Sequence, residues 1–361
     1  MKKFTVGFPI TDNETFISDI IAHKENISEV YFSWGDFPSG RSAQSGYVTP
    51  WEAQARQIEV LDRLCSEGLR FNLLFNANCY GEDSQARTLY ERIGETVDYV
   101  ASHYSLASVT TTSPLIAKFI KNNFDGIKTR ASVNMKIGSE EGFSYVSDYF
   151  DGYYMKREYN RNLRVIKKLR AWCDENGKEL FMLANSGCLN NCSAHVFHDN
   201  LVAHERNIAT KDNAYSFDGV CRDFLRRDGS IEEYLRVTNF IRPEDLHLTE
   251  KYFDGIKLAT RVSPNPSLIL NAYMNARYCG AVTSLLEPDH SGIFYPAVIE
   301  NKRIDPEWTK TVLFCNKDCR ASRCKLHRNR GLYRPAPAPP PDDNGREGFD
   351  HPRGASPPYL P

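Results

Sequence analysis

The chain has 361 residues, of which 41% are hydrophobic and 25% charged. That is too long for a disulfide-stapled miniprotein and long enough for one large domain or two ordinary ones. Lys and Arg number 45 and Asp and Glu 46, a net charge of -1, which excludes a global basic footprint for nucleic acid and leaves a local patch open.

No apolar run reaches the ~18 residues that a membrane helix needs. The stretch Phe4 to Ile10 contains Gly7 and Pro9 and runs into Thr11-Asp12-Asn13-Glu14, so it reads as a first strand and not as a leader. The expectation is a cytoplasmic protein with no membrane partner. Ten cysteines then need a reason, because clustered thiols in a reducing compartment more often bind metal or do chemistry than form disulfides.

Eight short β-branched and aromatic runs follow one another: Phe4–Ile10, Ile27–Trp34, Arg70–Phe75, Leu106–Thr112, Thr129–Met135, Gly152–Lys156, Glu179–Ala184 and Gly255–Ala259. Amphipathic segments separate them. Glu52 to Cys65 carries Ile58, Val60, Leu61 and Leu64 at helical spacing, and Ala86 to Tyr104 and Leu163 to Cys173 behave alike. Thr49-Pro50 and Ser113-Pro114 mark helix starts. Eight strands alternating with helices predict an α/β fold, a (β/α)8 TIM-like barrel over residues 1–300. No glycine-rich dinucleotide fingerprint or phosphate loop follows any strand.

Two segments break the rhythm. Residues 187–230, between the seventh and eighth strands, form a polar insertion rich in Asn and His that holds Cys188, Cys192 and Cys221. After a cysteine segment at 301–324 comes a tail, 325–361, with nine of the nineteen prolines, for which disorder is predicted. The phrase Phe-Asp-Gly-Ile-Lys occurs at 124–128 and again at 253–257, and reads as two similar helix-to-strand junctions.

In such a barrel the chemistry sits where strands end. The strand ends supply Asn76, Asn78 and Cys79, then Thr112, Ser113 and Asn134, then Arg157, Asn160 and Arg161, then Asn185 and Cys188, and last Lys257 and Arg261. Asn76, Asn78, Arg157, Arg161, Lys257 and Arg261 are the candidates for substrate binding, since guanidinium and ammonium groups hold phosphate or carboxylate. Any one of these residues could equally cap a helix or form a structural salt bridge.

Cys188-Leu189-Asn190-Asn191-Cys192 sets two thiols four apart on a loop, a spacing that suits an iron-sulfur cluster or zinc. Cys221 offers a third ligand, and Cys79 a fourth from a strand end on the same rim as Cys188. His195, His198 and His204 follow closely, either as ordinary loop histidines or as ligands or acid-base groups. Cys65 and Cys173 lie in apolar helical faces and should pack in the core, and a buried place is favoured for Cys279. Cys315, Cys319 and Cys324 form a second cluster that lacks a local fourth ligand.

These residues resemble the collagenase-like peptidase family U32. The resemblance rests on Asn76-Ala77-Asn78-Cys79-Tyr80-Gly81 and on Asn185-Ser186-Gly187-Cys188 through Cys192 and His195. It continues in Ile241-Arg242-Pro243-Glu244-Asp245-Leu246 and in Gly255-Ile256-Lys257-Leu258-Ala259-Thr260-Arg261. The stretches are short, keep the family's order, and are spread over roughly residues 1 to 320. The family is named for proteolysis, and several relatives act instead in oxygen-independent hydroxylation of RNA bases or of the ubiquinone ring, with a [4Fe-4S] cluster on four cysteines. The resemblance thus implies a [4Fe-4S] cluster on Cys79, Cys188, Cys192 and Cys221, with zinc as the fallback. The ligand spacing departs from the hydroxylase relatives, so their substrates do not carry over. Of the closing four-cysteine run found in some relatives, Cys315 and Cys319 fit the first half, and Ala321-Ser322-Arg323-Cys324 does not fit the second.

Three functions follow. The first is an iron-sulfur enzyme that hydroxylates an RNA base or small molecule, with a partner subunit of the same family as a further expectation. The second is a protease acting on a peptide; Cys188 with His195 or His198 could serve it, although Gly-x-Ser-x-Gly and His-Glu-x-x-His motifs are both absent from the chain. The third is a non-enzymatic module held by zinc. As for the tail, a reading-frame shift near Arg320 would explain both the change of composition and the broken cysteine run, and a native polyproline segment is the alternative. Either way, a chain cut after Arg320 is expected to keep the barrel, with a cooperative unfolding transition close to that of the full chain; loss of the transition would overturn this.

Overall fold

The computed structural model describes residues 3–8, 13–35, 37–39, 49–315 and 331–334. Eight parallel strands close into a barrel: β1 (Phe4–Gly7), β2 (Ile27–Phe32), β3 (Phe71–Phe75), β4 (Leu106–Thr111), β5 (Lys128–Ala131), β6 (Gly152–Tyr154), β7 (Glu179–Leu183) and β8 (Gly255–Leu258). β8 returns to β1 with Lys257 opposite Thr5. The eight strands fall on the eight apolar runs of the sequence, and the expected (β/α)8 architecture is the one formed. Among the described residues, no helix is long and apolar enough to cross a membrane.

The helices start where their caps dictate. Thr49 accepts from the Glu52 amide at 3.2 Å while the Glu52 carboxylate accepts from the Thr49 amide at 2.9 Å, a reciprocal box that opens the helix Pro50–Ser66. Ser113 accepts from the Ile116 amide and Pro114 opens the helix Pro114–Asn123. In the helix Leu163–Glu175 the buried residues Ile166, Leu169 and Cys173 lie on one face, turned to the barrel wall. Burial pushes the Cys173 thiol up to about 12, so it is an inert core group.

The inside of the barrel is polar. Glu29 on β2 accepts from Arg130 on β5, through Nη1 and, at 2.8 Å, through Nη2. β2 and β5 are not neighbours in the sheet, so this pair crosses the interior. Asn72 of β3 (3.3 Å) and Ser108 of β4 (3.0 Å) also donate to Glu29. The Arg130 guanidinium lies 4.2 Å from the Phe181 ring centroid of β7. Burial opposes the charge on Arg130, and Glu29 more than restores it, so its pKa is raised. Gly7 is required by close approach: a Cβ there would come within 2.3 Å of the Tyr31 ring.

Two expectations change. The run Thr129–Met135 is not one strand, because Ser132 accepts from the Asn134 amide and turns Val133–Met135 into a single 3-10 turn. The tail was expected to lack structure from residue 325, yet Leu332–Tyr333 pairs antiparallel with Val298–Ile299. The remainder of the tail, with Cys319 and Cys324, lies outside the described residues.

Removing Glu29 leaves Arg130 charged and buried, with only the longer contact to Glu179 at 3.5 Å among the described carboxylates. Glu29→Ala is expected to cost about 3–5 kcal/mol in urea denaturation, whereas Glu29→Leu combined with Arg130→Met should recover most of that loss. A single variant with an unchanged midpoint would show that the pair is not structural.

Candidate functional site

All eight strands are parallel, so their C-terminal ends share one rim. A cavity of about 100 Å³ opens there, lined by Tyr31, Asn76, Asn134, Arg157, Cys188 and Lys257, by Arg261 and Glu287, and by His195, His198 and Asp199. Of the substrate-binding candidates, Asn76, Arg157, Lys257 and Arg261 line this cavity.

Lys257 is the third residue of β8 and 9% exposed. Its Nζ lies 3.9 Å from the Tyr31 ring centroid and 5.2 Å from that of Tyr154. Burial, then Arg261 and Arg130, push its pKa down to about 7, and Glu29, the carboxylate that acts against them, is already paired with Arg130. Arg157, in the turn after β6, donates from Nη1 to the Cys188 thiol at 3.2 Å and from Nη2 to Asn134 at 3.2 Å. Its Nε is buried and has no hydrogen-bond partner among the described residues. Arg261 donates to the Ser39 hydroxyl at 3.2 Å.

Of the other two candidates, Arg161 is engaged elsewhere and Asn78 supports a residue of the cavity wall. Arg161, 1% exposed, donates to Asn239 Oδ1 at 3.1 Å and to the Leu235 carbonyl at 2.9 Å, with its guanidinium 4.9 Å from the Trp308 ring. It ties the β7–β8 connection to the C-terminal helix Trp308–Leu313 and does not line the cavity. Asn78 donates to Asp199 at 3.2 Å. Asp199 also meets Lys136 at 3.3 Å and His195 Nε2 at 3.5 Å. The sequence reading missed Asp199, Tyr31 and Glu287. For Asp199 the signal was its place four residues after His195, which becomes a contact because His195–Ala203 is a helix and not a loop.

The β7–β8 connection carries Cys188, Cys192 and Cys221, all half-buried. Burial pushes the Cys221 thiol up, and charge on Cys188 and Cys192 pushes it further, so the three lie within electrostatic reach. Cys221 Sγ and the His198 ring both flank Gly219. Cys79 accepts from the Gly81 amide at 3.3 Å and packs against the main core, and no described contact joins it to the other three. Among the described residues, no group of three or more His, Cys, Asp or Glu side chains is gathered as tightly as a single metal ion requires. In kind the donors suit a cluster, which is wider than one ion: three soft thiols on one connection, with the fourth position unfilled by the described geometry. Cys65 is half-buried and Cys279, expected inside, is exposed.

One joint holds the thiol loop to β8. Asn185, just after β7, accepts from the Ala259 amide at 2.6 Å and donates to the carbonyls of Ala259 (3.1 Å) and Leu285 (2.9 Å). Gly187 donates to the Glu287 carbonyl at 2.9 Å, and a Cβ on Gly187 would lie 2.2 Å from the Pro288 carbonyl oxygen.

The position of Lys257 sets a pH dependence. The unfolded chain keeps this proton up to the ordinary lysine value of 10.5, and the folded barrel gives it up near 7. The destabilisation is therefore complete below pH 7 and fades as pH rises towards 10.5. Lys257→Met is expected to raise stability by a few kcal/mol at pH 6 and by little at pH 10. An equal gain at both values would show that the buried ammonium carries no cost.

No family model matches the chain, and no curated protein matches it. Among solved structures, the U32 peptidase Mk0906 superposes with a TM-score of 0.52 at 14% identity, covering 71% of this chain and 92% of that one. An α-amylase from Lactobacillus plantarum gives 0.33 at 10% identity, covering 50% of this chain and 61% of the amylase. An enolase from Bradyrhizobium, complexed with magnesium and mandelic acid, gives 0.34 at 13% identity, covering 54% of this chain and 48% of the enolase. The last two are too loose to bear on this chain. At 14% identity the first shows a shared fold alone, the closed parallel (β/α)8 barrel.

Proposed function

We propose that the chain is an iron-sulfur enzyme of the U32 type that acts on a small anionic molecule at the barrel mouth. The observation that carries this is Arg157, which donates to the Cys188 thiol and lines the same cavity as Lys257 and Arg261. Thiols and cationic groups thus share one wall. Arg157 and Arg261 would hold a carboxylate or phosphate, with Asn76 and Asn134 beside them to orient it. Cys188, Cys192 and Cys221 would hold the cluster, with Cys79 as the candidate fourth ligand. When bound, a [4Fe-4S] cluster supplies one-electron transfer beside the anion. Hydroxylation is the reaction class that the family resemblance brings.

The alternative is a protease, as the name of the structural neighbour suggests, for which Cys188, His195 and His198 line the same cavity.

Anaerobic purification followed by iron and sulfide analysis tests the proposal. The full chain should be brown with a broad visible absorbance, Cys188→Ala and Cys192→Ala should lose iron to background, and Cys65→Ala should keep it. A colourless protein holding zinc would replace this reading with the zinc-stabilised module. Full iron in both loop variants would remove these thiols from it.

A further inference from the structure

Lys257 is used above only as part of a cationic wall, and its surroundings suit it poorly for that alone. It projects from the middle of β8, its Nζ packed on the rings of Tyr31 and Tyr154. Glu29, the described carboxylate that favours its charge, is already paired with Arg130. An ammonium meant to hold an anion is normally exposed or balanced by an acid. An amine meant to act as a nucleophile is desolvated and set beside other cations, because both conditions favour its neutral form. Lys257 meets both conditions, with Arg261 as the neighbouring cation. Since its pKa falls near 7, a large share of the amine is neutral at neutral pH, whereas exposed lysines stay protonated.

The cavity completes the requirement. Lys257 lines it together with the guanidinium groups of Arg157 and Arg261, in room for a molecule of roughly half a dozen non-hydrogen atoms. A guanidinium pair selects a carboxylate, and the amine selects a carbonyl carbon next to it.

We propose that Lys257 captures the carbonyl of a small 2-oxo acid as an imine, with Arg157 and Arg261 holding its carboxylate. This rests on the anion-binding part of the function proposed above and not on the cluster. The chemistry balances without a redox partner. The amine lone pair forms a C–N bond as the carbonyl π pair moves to oxygen, which takes a proton. The C–O bond then breaks, and the carbonyl oxygen leaves as water with two protons, one from the amine and one from solvent, so that the nitrogen keeps its other proton and carries the positive charge. The protonated imine that results draws electrons from the bonds to the adjacent carbons, so the site would activate such an acid for proton removal or carbon–carbon cleavage.

Reductive trapping tests this on the full chain. Pyruvate and cyanoborohydride at neutral pH should give one reduced adduct per chain, located at Lys257 by peptide mass mapping. Acetone, the neutral methyl ketone, should react more slowly by more than its lower intrinsic reactivity toward a free model amine, and Arg157→Ala should erase that extra preference. Lys156→Arg should behave as the parent, and Lys257→Arg, with its fold checked by circular dichroism, should give no adduct. The mapping on the unmutated chain stands even if that variant misfolds. Adducts spread over exposed lysines, or none at all, would overturn the proposal. Pyruvate that stabilises the protein thermally without forming an adduct would also overturn it while leaving the anion site intact. An adduct with no preference for the acid would overturn the 2-oxo acid class. An iron-free protein that still forms the Lys257 adduct would support this inference and sink only the cluster.

Discussion

The barrel depends on one ion pair across its interior. Glu29 and Arg130 reach each other from strands that are not neighbours, and Asn72 and Ser108 use the remaining acceptor capacity of the carboxylate. A barrel of this size is ordinarily filled by layers of branched apolar side chains. Here a polar layer takes their place, and it is tolerable because the carboxylate has several donors and the guanidinium has both a carboxylate and an aromatic face. The pair also neutralises itself. With Glu29 engaged by Arg130, burial and the two nearby guanidinium groups, Arg261 and Arg130, outweigh its pull on Lys257, whose amine is packed on two tyrosine rings. The properties of the mouth therefore begin in the layer beneath it.

The fold was legible because each of its determinants is local. Runs of β-branched and aromatic residues, separated by segments of helical period, give alternating strands and helices. Thr49-Pro50 and Ser113-Pro114 fix helix starts, the first through a reciprocal capping box and the second through one side-chain bond. Where the period is short the reading strayed. Val133 and Met135 look like a continuation of β5, but Ser132 has its own use for the Asn134 amide and ends the strand. Likewise, the polar residues after Cys192 hid a helix that brings Asp199 under His195.

The site was legible as a rim and not as a set of roles. Strand ends placed Asn76, Arg157, Cys188, Lys257 and Arg261 together, since a parallel barrel allows no other arrangement of those ends. Arg161 shows what spacing omits. It stands four residues after Arg157, and its guanidinium turns away to Leu235 and Asn239. The repeated phrase is sharper still. In its first copy the glycine is left-handed at φ +80 before the strand starts, so Lys128 is the first residue of β5, exposed and paired with Glu179 at 2.5 Å. In the second copy the glycine is itself the first residue of β8, and the lysine moves two places up the wall into the interior. Five identical letters thus give a surface ion pair once and a buried amine once, and the difference lies in where the backbone joins the sheet.

The Asn185 joint has a consequence for how the two halves of the mouth can be handled. Its side chain pins the end of β8, and the chain beside it is stitched to residues 285–288, so the root of the thiol loop is tied directly to the lysine strand. Gly187 leaves no slack, because a backbone carbonyl fills the space where a side chain would go. A designer who transplanted the loop from Cys188 to Cys221 onto a foreign barrel would carry over its donors without its aim. The portable unit is larger: the loop, the asparagine at its root, and the distant strap that clasps it from behind.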